Sequence, residues 1–200
     1  MLLLASILVI GLLLGWGLGG SIRNLAQLDV ILWWLVPAAL VLQIVPIPRG
    51  ATGPFRYLPF VALLLSFVLI AVVMVTNLRT RGFLLILIGV VLNLIPIVVN
   101  QGMPVSGPAV AEAGGALEDV PRELGGKHHL LGPADQLTFL GDVIAVREPF
   151  NAVVSAGDLV MWVGAGWFVT WAMLGVPQRQ TRPARSPARR PARRLRSANP

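Results

Sequence analysis

The sequence contains no cysteine, only two histidines and few charged residues. The absence of cysteine excludes disulfides, thiolate metal sites, cysteine nucleophiles and lipidated-cysteine anchors. Charged residues make up 12% of the 200 residues and hydrophobic residues 56%, whereas soluble domains are about one quarter charged. A disordered chain has few large apolar residues. These figures therefore exclude an ordinary soluble domain and a largely disordered chain.

Five apolar stretches are long enough to cross a hydrocarbon core about 30 Å thick. They cover residues 2–19, 30–47, 59–77, 82–99 and 153–175. Backbone groups in lipid must pair within their own segment, so each stretch is predicted to be a helix. We therefore expect an all-α membrane protein with five transmembrane helices over residues 1–176, in which residues 100–152 form a long loop. The second half of this loop, residues 130–146, alternates apolar clusters with Gly and Asp, which suits short strands or an amphipathic stretch on the bilayer surface.

The flanks of the first stretch bear on whether it is a cleaved signal peptide. A signal peptide carries positive charge before its apolar run, but here Arg23 follows the run and nothing basic precedes it. We therefore expect this stretch to be retained as a span.

The distribution of basic residues predicts the orientation, because Lys and Arg are concentrated in cytoplasmic loops. With the C-terminus inside, eleven basic residues lie in the cytoplasm: Arg23, Arg79, Arg81 and the eight arginines after residue 178. Five lie on the other side: Arg49, Arg56, Arg122, Lys127 and Arg147. We expect a multi-pass protein of the plasma membrane with its N-terminus outside.

The C-terminal residues 177–200 are rich in arginine and proline. Repeated proline prevents a continuous helix and there is little apolar surface to bury, so we expect this tail to be disordered. Each basic residue near an anionic membrane contributes about 1 kcal/mol of binding. We expect anionic lipid headgroups rather than a specific nucleic acid to bind Arg182, Arg185, Arg189, Arg190, Arg193 and Arg194.

Glycine and amide residues interrupt the apolar stretches. Gly11, Gly15 and Gly19 repeat at four-residue spacing, which favours close helix packing within the bundle over a dimer interface. Asn93, near Pro96, is predicted to be an amide bonded locally in a kinked helix, or to face a polar interior. The second stretch has the same two readings for Pro37, Gln43 and Pro46.

The two histidines, His128 and His129, are adjacent and follow Lys127. Adjacent side chains point in different directions, so they do not form the i, i+4 face of a zinc site. We expect a solvent-facing or interfacial basic cluster and no metal or other cofactor.

Asp158 is the acidic residue that the sequence places inside an apolar stretch. A carboxylate there is costly and indicates a function or a buried partner, although pairing with Lys127 or Arg147 at headgroup level is the alternative. We predict that Asp142 approaches Asp158 as a candidate catalytic pair, with Asn100, Lys127, His128 and Ser155 as binding residues. A cation between the two acids would make the cluster an ion-pair clamp instead.

Four short motifs occur in order: Asn-x-Gly-Met-Pro-Val-Ser at 100–106, Lys-His at 127–128, Leu-Gly-Asp-Val-Ile at 140–144 and Ser-x-Gly-Asp at 155–158. With the preceding spans, this pattern resembles a family of small bacterial multi-pass membrane proteins known only as a domain of unknown function. The resemblance implies that these polar residues form one site at the outer leaflet. It implies no reaction, substrate or cofactor.

Three functions are compatible with these features. A non-catalytic membrane component, with the lipid bilayer and a membrane protein as its candidate partners, is favoured. A hydrolase or transferase that acts on a lipid-linked substrate through Asp142 and Asp158 is the first alternative. A small-solute transporter is disfavoured, because the first four stretches hold no ionisable residue and no inverted repeat is visible.

Overall fold

The computed structural model describes residues 2–44, 53–120 and 126–175, and this part of the chain is mostly helical. The predicted arginine tail, with Arg182, Arg185, Arg189, Arg190, Arg193 and Arg194, lies outside the described residues, as does Pro46. The helices are α1 (Leu2–Gly17), α2 (Ile22–Leu25), α3 (Leu35–Ile44), α4 (Leu58–Thr76), α5 (Phe83–Asn100), α6 (Gly107–Glu112) and α7 (Ala156–Met173).

Two helical segments are long and apolar enough to cross a membrane by length and composition, namely Phe55–Thr76 and Phe83–Asn100. The apolar helices α1 and α3 are shorter. In the second predicted stretch, the helix begins only at Leu35, because the chain turns through residues 31–34 and Leu32 adopts a positive φ of 60°. Length and composition therefore show two helices that could cross a membrane, and not the five that the sequence predicts.

The helices pack side by side in the order α1, α7, α5, α4 and α3. Helices α5 and α7 are antiparallel, since Gly82 at the start of α5 lies against Gly164, while Gly89 further along lies against Gly157. The hydrophobic core lies mainly between α4 and α5, where Val73 and Val90 are fully buried.

Helices α1 and α7 run parallel and touch through glycine. A methyl group on Gly11 would lie 2.8 Å from the Gly166 carbonyl oxygen, and one on Gly15 would lie 2.8 Å from the Met173 sulfur. The predicted packing within the bundle is confirmed for these two glycines. Gly19 does not share that face, because it follows the end of α1 with a positive φ of 84°.

The long loop contains short strands, so the prediction of an all-α fold is wrong in this region. Strand β1 (Met103–Val105) pairs in parallel with β2 (His128–Leu130), and β3 (Ile144–Val146) pairs antiparallel with β4 (Ala152–Val154). Val105 also bridges to Asp142 and so joins the two small sheets. In β1, β3 and β4 the apolar residues occur in runs of three, which are too short for a helix.

The strands bring residues 100–120 and 126–155 back over the ends of α5 and α7. We call this the loop end of the bundle. The C-terminal residues of α3 also lie there, since Lys127 Nζ donates to the Gln43 carbonyl oxygen at 2.6 Å. Ile31, Asn77 and Met173 lie toward the opposite end, where Ile31 contacts Asn77.

Candidate functional site

The first turn of α7 places Asp158 at the loop end. Ser155 is the N-cap, and its Oγ accepts a hydrogen bond from the Asp158 backbone N–H at 3.0 Å. The Asp158 carboxylate in turn accepts from the Ser155 backbone N–H at 3.2 Å, which completes a capping box. The predicted span therefore starts too early at residue 153, and Asp158 is the third residue of the helix. The Ser-x-x-Asp spacing is the signal that identifies this cap.

Asn93 connects α5 to this cap. Its Nδ2 donates to Asp158 Oδ1 at 2.7 Å, and its Oδ1 accepts from Ser155 Oγ at 2.7 Å. Asn93 and Ser155 are almost completely buried. The interpretation of Asn93 as a locally bonded amide is wrong, because both of its polar atoms bond to α7 instead. Gly157 permits this approach, since a methyl group there would overlap the Asn93 Oδ1.

Asp142 reaches the same end of the bundle from the long loop. Its backbone N–H donates to the Pro104 carbonyl oxygen and its carbonyl oxygen accepts from the Ser106 N–H, both at 2.9 Å. The residue is 8% exposed. Within the described part of the chain, its carboxyl group makes no hydrogen bond, and the nearest ring nitrogen, His128 Nε2, lies 3.8 Å from Oδ2.

The environment of Asp142 favours its protonated form. Burial raises the pKa of the Asp142 carboxyl well above its ordinary value, and the charge of Asp158 raises it further. The two carboxyls therefore belong to one electrostatic site, in which Asp158 is fixed by hydrogen bonds and Asp142 is not. The two acids of this site therefore lie in different environments, which is the arrangement that lets paired carboxyls take different roles.

His128 and Lys127 flank the acids. Protein atoms crowd the His128 ring although half of its side-chain surface is accessible, and this desolvation lowers its pKa, while the charge of Asp158 opposes the shift. Burial also lowers the pKa of Lys127. Arg147, the other predicted cation, pairs with Glu112 at 2.8 Å.

Asn100 holds the long loop against α5 in this structure. Its side chain donates to the carbonyl oxygens of Pro96 and Gln136, both at 2.9 Å, and accepts from the Gln136 N–H at 2.8 Å. These bonds use the whole amide group. Asn100 therefore fastens the long loop to the last turn of α5, about 10 Å along the helix from Asn93.

His129 departs from the predicted solvent-facing cluster. It is 2% exposed and its Nε2 lies 3.0 Å from Asp135 Oδ1, while Asp135 Oδ2 accepts from the Gly132 N–H. The ring is buried because β2 pairs with β1 and turns alternate side chains inward. No group of three or more His, Cys, Asp or Glu residues able to hold a metal occurs in the described segments.

Comparison with known proteins identifies the family. The sequence model of DUF5317, described as a family of unknown function, matches residues 27–170, a range that contains all four short motifs. An uncharacterised protein of Thermotoga maritima is 30% identical over 173 residues, which cover 85% of this chain and 90% of that protein. No solved structure matches the chain. The chain therefore belongs to the DUF5317 family of unknown function.

Proposed function

We propose that this protein is an integral membrane component with five spanning helices, and that its loop end faces outward. The observation that carries the proposal is the apolar surface on the sides of the helices. On α5, exposed apolar residues recur every three or four positions: Leu84, Ile88, Val91, Ile95 and Val98. Soluble monomers rarely expose contiguous apolar patches beyond a few hundred Å², so a lipid environment accounts for this surface best.

The same surface continues on the neighbouring helices. Exposed apolar side chains lie on α1 (Val9, Ile10, Leu13), α4 (Leu65, Val68, Val72) and α7 (Leu159, Val163, Trp167). Because these helices pack as one row with α5, their exposed sides form a belt. A belt of this kind supports spans also for α7, which is as long as α5, and for α1, which needs its flanking residues to reach full membrane thickness.

Aromatic and basic residues support the orientation. Trp16, Trp33 and Trp34 are exposed near the end opposite the loop, and the Arg81 guanidinium stacks over the Trp171 ring at 4.0 Å. Tryptophan is enriched at membrane–water interfaces and arginine on the cytoplasmic side. We therefore assign the opposite end to the cytoplasm.

Single cysteines test this topology, since the chain has none of its own. Ala134→Cys places a thiol in the exposed part of the long loop, and Ser186→Cys places one in the C-terminal tail. An impermeant thiol reagent on intact cells should label the first and spare the second, and both should be labelled after lysis. Labelling of residue 186 alone in intact cells would reverse the orientation.

At the loop end, we infer a non-catalytic role for the bonds between Asn93, Ser155 and Asp158. They hold the start of α7 against α5 and so fix the strand that leads into it. Asn100 fastens the other end of the long loop. A polar outer surface held in this way provides a stable binding face for a lipid headgroup or a membrane protein partner.

A second candidate function is acid–base catalysis on a lipid-linked substrate. It is favoured by one specific observation: Asp142 is buried, lacks a hydrogen bond in the described residues and has a raised pKa beside Asp158. A carboxyl whose environment favours the protonated form can serve as a proton donor to a bound substrate. The half-exposed His128 lies on the water side of this pair.

Co-purification distinguishes the two functions. The protein and its D142N variant are purified with native lipids and the bound molecules are identified by mass spectrometry. An enzyme should retain an unreacted lipid-linked molecule in the folded D142N variant and lose it in the wild type. The absence of any such molecule from both would remove the enzyme candidate, whereas a stoichiometric protein partner in both would favour the non-catalytic role.

For the arginine tail we propose binding to anionic headgroups on the cytoplasmic surface. A peptide of residues 178–200 should bind vesicles that contain anionic lipid and dissociate as salt rises, because exposed charges are screened over about 8–10 Å near physiological ionic strength. Equal binding to neutral vesicles would contradict the proposal.

A further inference from the structure

A short apolar turn at residues Leu137–Leu140 projects from the long loop. It contains the 3-10 turn Thr138–Leu140. Phe139 is 67% exposed and Leu137 is 41% exposed. No charged residue occurs from Gln136 to Gly141. We call this turn the loop tip.

The backbone at the loop tip presents Leu137 in an unusual way. Leu137 has a positive φ of 51°, a region that costs a non-glycine residue about 1–2 kcal/mol. Leu32 also has a positive φ, but its side chain packs against the hydrophobic core, which offsets that cost. Leu137 is less well packed within the chain, so its exposed side chain is available for a contact outside it.

Hydrogen bonds fix the height of the loop tip along the bundle. Gln136 directly precedes the loop tip, and both its backbone N–H and its carbonyl oxygen bond to the Asn100 side chain. The 3-10 turn itself packs against α5. Gly141, which follows it, lies close to Pro104. The loop tip is therefore held beside the last turn of α5 and does not extend away from the bundle.

The apolar surface of α5 leads to the same place. Ile95, Val98 and Val99 are exposed on its last two turns. These residues lie within about 8 Å of Asn100 along the helix axis. Phe139 and Leu137 therefore lie at about the height along the bundle at which the exposed apolar surface of α5 ends.

We propose that the loop tip inserts Phe139 and Leu137 into the interfacial region of the outer leaflet, so that the long loop rests on the bilayer beside α5. The inference rests on the proposed membrane function and adds a second lipid contact outside the helices. Lipid is preferred to a protein partner because the tip is uncharged and lies at the height at which the lipid-facing belt of α5 ends. Phenylalanine and leucine are typical of segments that lie in this interface.

The test uses single cysteines that carry an environment-sensitive fluorophore, in the full-length protein reconstituted into vesicles. Phe139→Cys reports on the loop tip, Ala134→Cys is an exposed loop control, and Val91→Cys reports on the exposed side of α5. Quenchers attached to lipid near the headgroups or dissolved in water are added in turn. We expect lipid quenchers to reduce the fluorescence at residues 139 and 91, and water-soluble quenchers to reduce it at residue 134.

Each outcome decides a different claim. If Val91 is quenched from lipid but Phe139 only from water, the inference is wrong while the membrane proposal stands. If Val91 is quenched only from water, the membrane proposal itself fails. If the fluorophore at residue 139 is reached by neither quencher, a protein surface covers it and lipid insertion is wrong. If quenching at residue 139 then returns when the protein is diluted into excess lipid, the covering surface is a second copy of this chain.

Discussion

Asparagine side chains hold a distant segment at both ends of the helical bundle. Among the described residues, a buried carboxyl lies only at the loop end. At the opposite end, Asn77 donates to the Ile31 carbonyl oxygen at 2.8 Å and accepts from its N–H at 2.9 Å. Asn24 donates to the Met173 carbonyl oxygen at 2.6 Å. At the loop end, Asn93 bonds to the cap of α7, and Asp142 lies nearby without a hydrogen bond.

This difference distinguishes side chains that only hold segments together from a side chain with a candidate functional role. A buried amide with satisfied partners contributes about 1 kcal/mol per hydrogen bond and needs no further purpose. A buried carboxyl without a hydrogen bond destabilises the fold, and such groups occur most often at functional sites. Asp142 therefore has a cost that the amide clamps do not have. The predictions below test this contrast between the two ends, starting with the largest effect.

Gly157→Ala should give the largest loss of stability. The added methyl group would overlap the Asn93 Oδ1 and lie 2.8 Å from the Gly89 carbonyl oxygen, a backbone atom that cannot move away easily. We expect the free energy of unfolding to fall by about 3 kcal/mol, the upper part of the usual range for overpacking. Denaturant unfolding of the protein in detergent micelles measures this change.

The matched control is Gly17→Ala in α1, where nothing lies within 4 Å of an added methyl group. There, alanine should leave stability unchanged or raise it by about 0.5 kcal/mol, because glycine is a poor helix former. If Gly157→Ala is as well tolerated as this control, the close contact between α5 and α7 at the loop end is incorrect.

Asn93→Ala and Asn77→Ala compare the two clamps directly. Asn93 donates to a carboxylate, so its loss should cost about 2–3 kcal/mol, and the loss of the neutral Asn77 bonds about 1–2 kcal/mol. The local effects should differ more clearly. Hydrogen exchange should accelerate at residues 152–158 in the first variant and at residues 28–34 in the second. Faster exchange at both ends in either variant would mean that the two clamps are one cooperative unit.

Asp142→Asn tests the cost of the buried acid. Because the pKa of Asp142 is raised in the folded protein, the folded state binds the proton more tightly than the unfolded state. The wild type should therefore lose stability as the pH rises from the ordinary value of 3.8 toward the raised pKa, and the loss should be complete above it. The D142N variant should lack this loss. It should be the more stable protein at pH 7, and its advantage should shrink as the pH falls toward 3.8.

Thermal unfolding at a series of pH values measures this difference. The variant Asp135→Asn is a useful control, because Asp135 accepts a hydrogen bond from Gly132 and contacts His129, so its replacement should destabilise the protein. An advantage for D142N that is independent of pH, or a destabilised D142N, would show that Asp142 is a structural residue like those at the opposite end.

The helices of this fold could be predicted well from the sequence, because long uncharged apolar runs have few alternatives. The four-residue spacing of Gly11 and Gly15 also predicted that these residues pack against another helix of the same bundle. The helix starts at Leu35 and Ala156 were placed too early, since apolar residues continue from turn or strand into helix without a change in composition. The Ser155 cap was visible only as a spacing between two polar residues.

The candidate site was harder to predict, because it depends on which elements meet. Asn93 is 62 residues from Ser155 in the sequence, and nothing in its own segment indicates a partner on α7. The pattern of residues 130–146 indicated short strands or an amphipathic stretch, and β3 lies in that segment. Strand β1 was hidden, because the three-residue run Met103–Val105 has too little length for a period. By contrast, the cost of a carboxylate in an apolar segment singled out Asp158 without any knowledge of the fold.

The last prediction concerns the exposed ion pair between Arg147 and Glu112 on the long loop, and it has the smallest expected effect. The side chains are 75% and 54% exposed, so water screens their attraction and compensates for its loss. Arg147→Gln should therefore leave the unfolding temperature and the pH dependence unchanged, in contrast to D142N in the same loop. Arg147 is one of the two cations, with Lys127, that the sequence predicts as alternative partners for the acids. If Arg147→Gln shifts the pH dependence in the way that D142N does, the cation acts on Asp142 or Asp158 after all, and the loop end is an ion-pair clamp and not a site with an uncompensated acid.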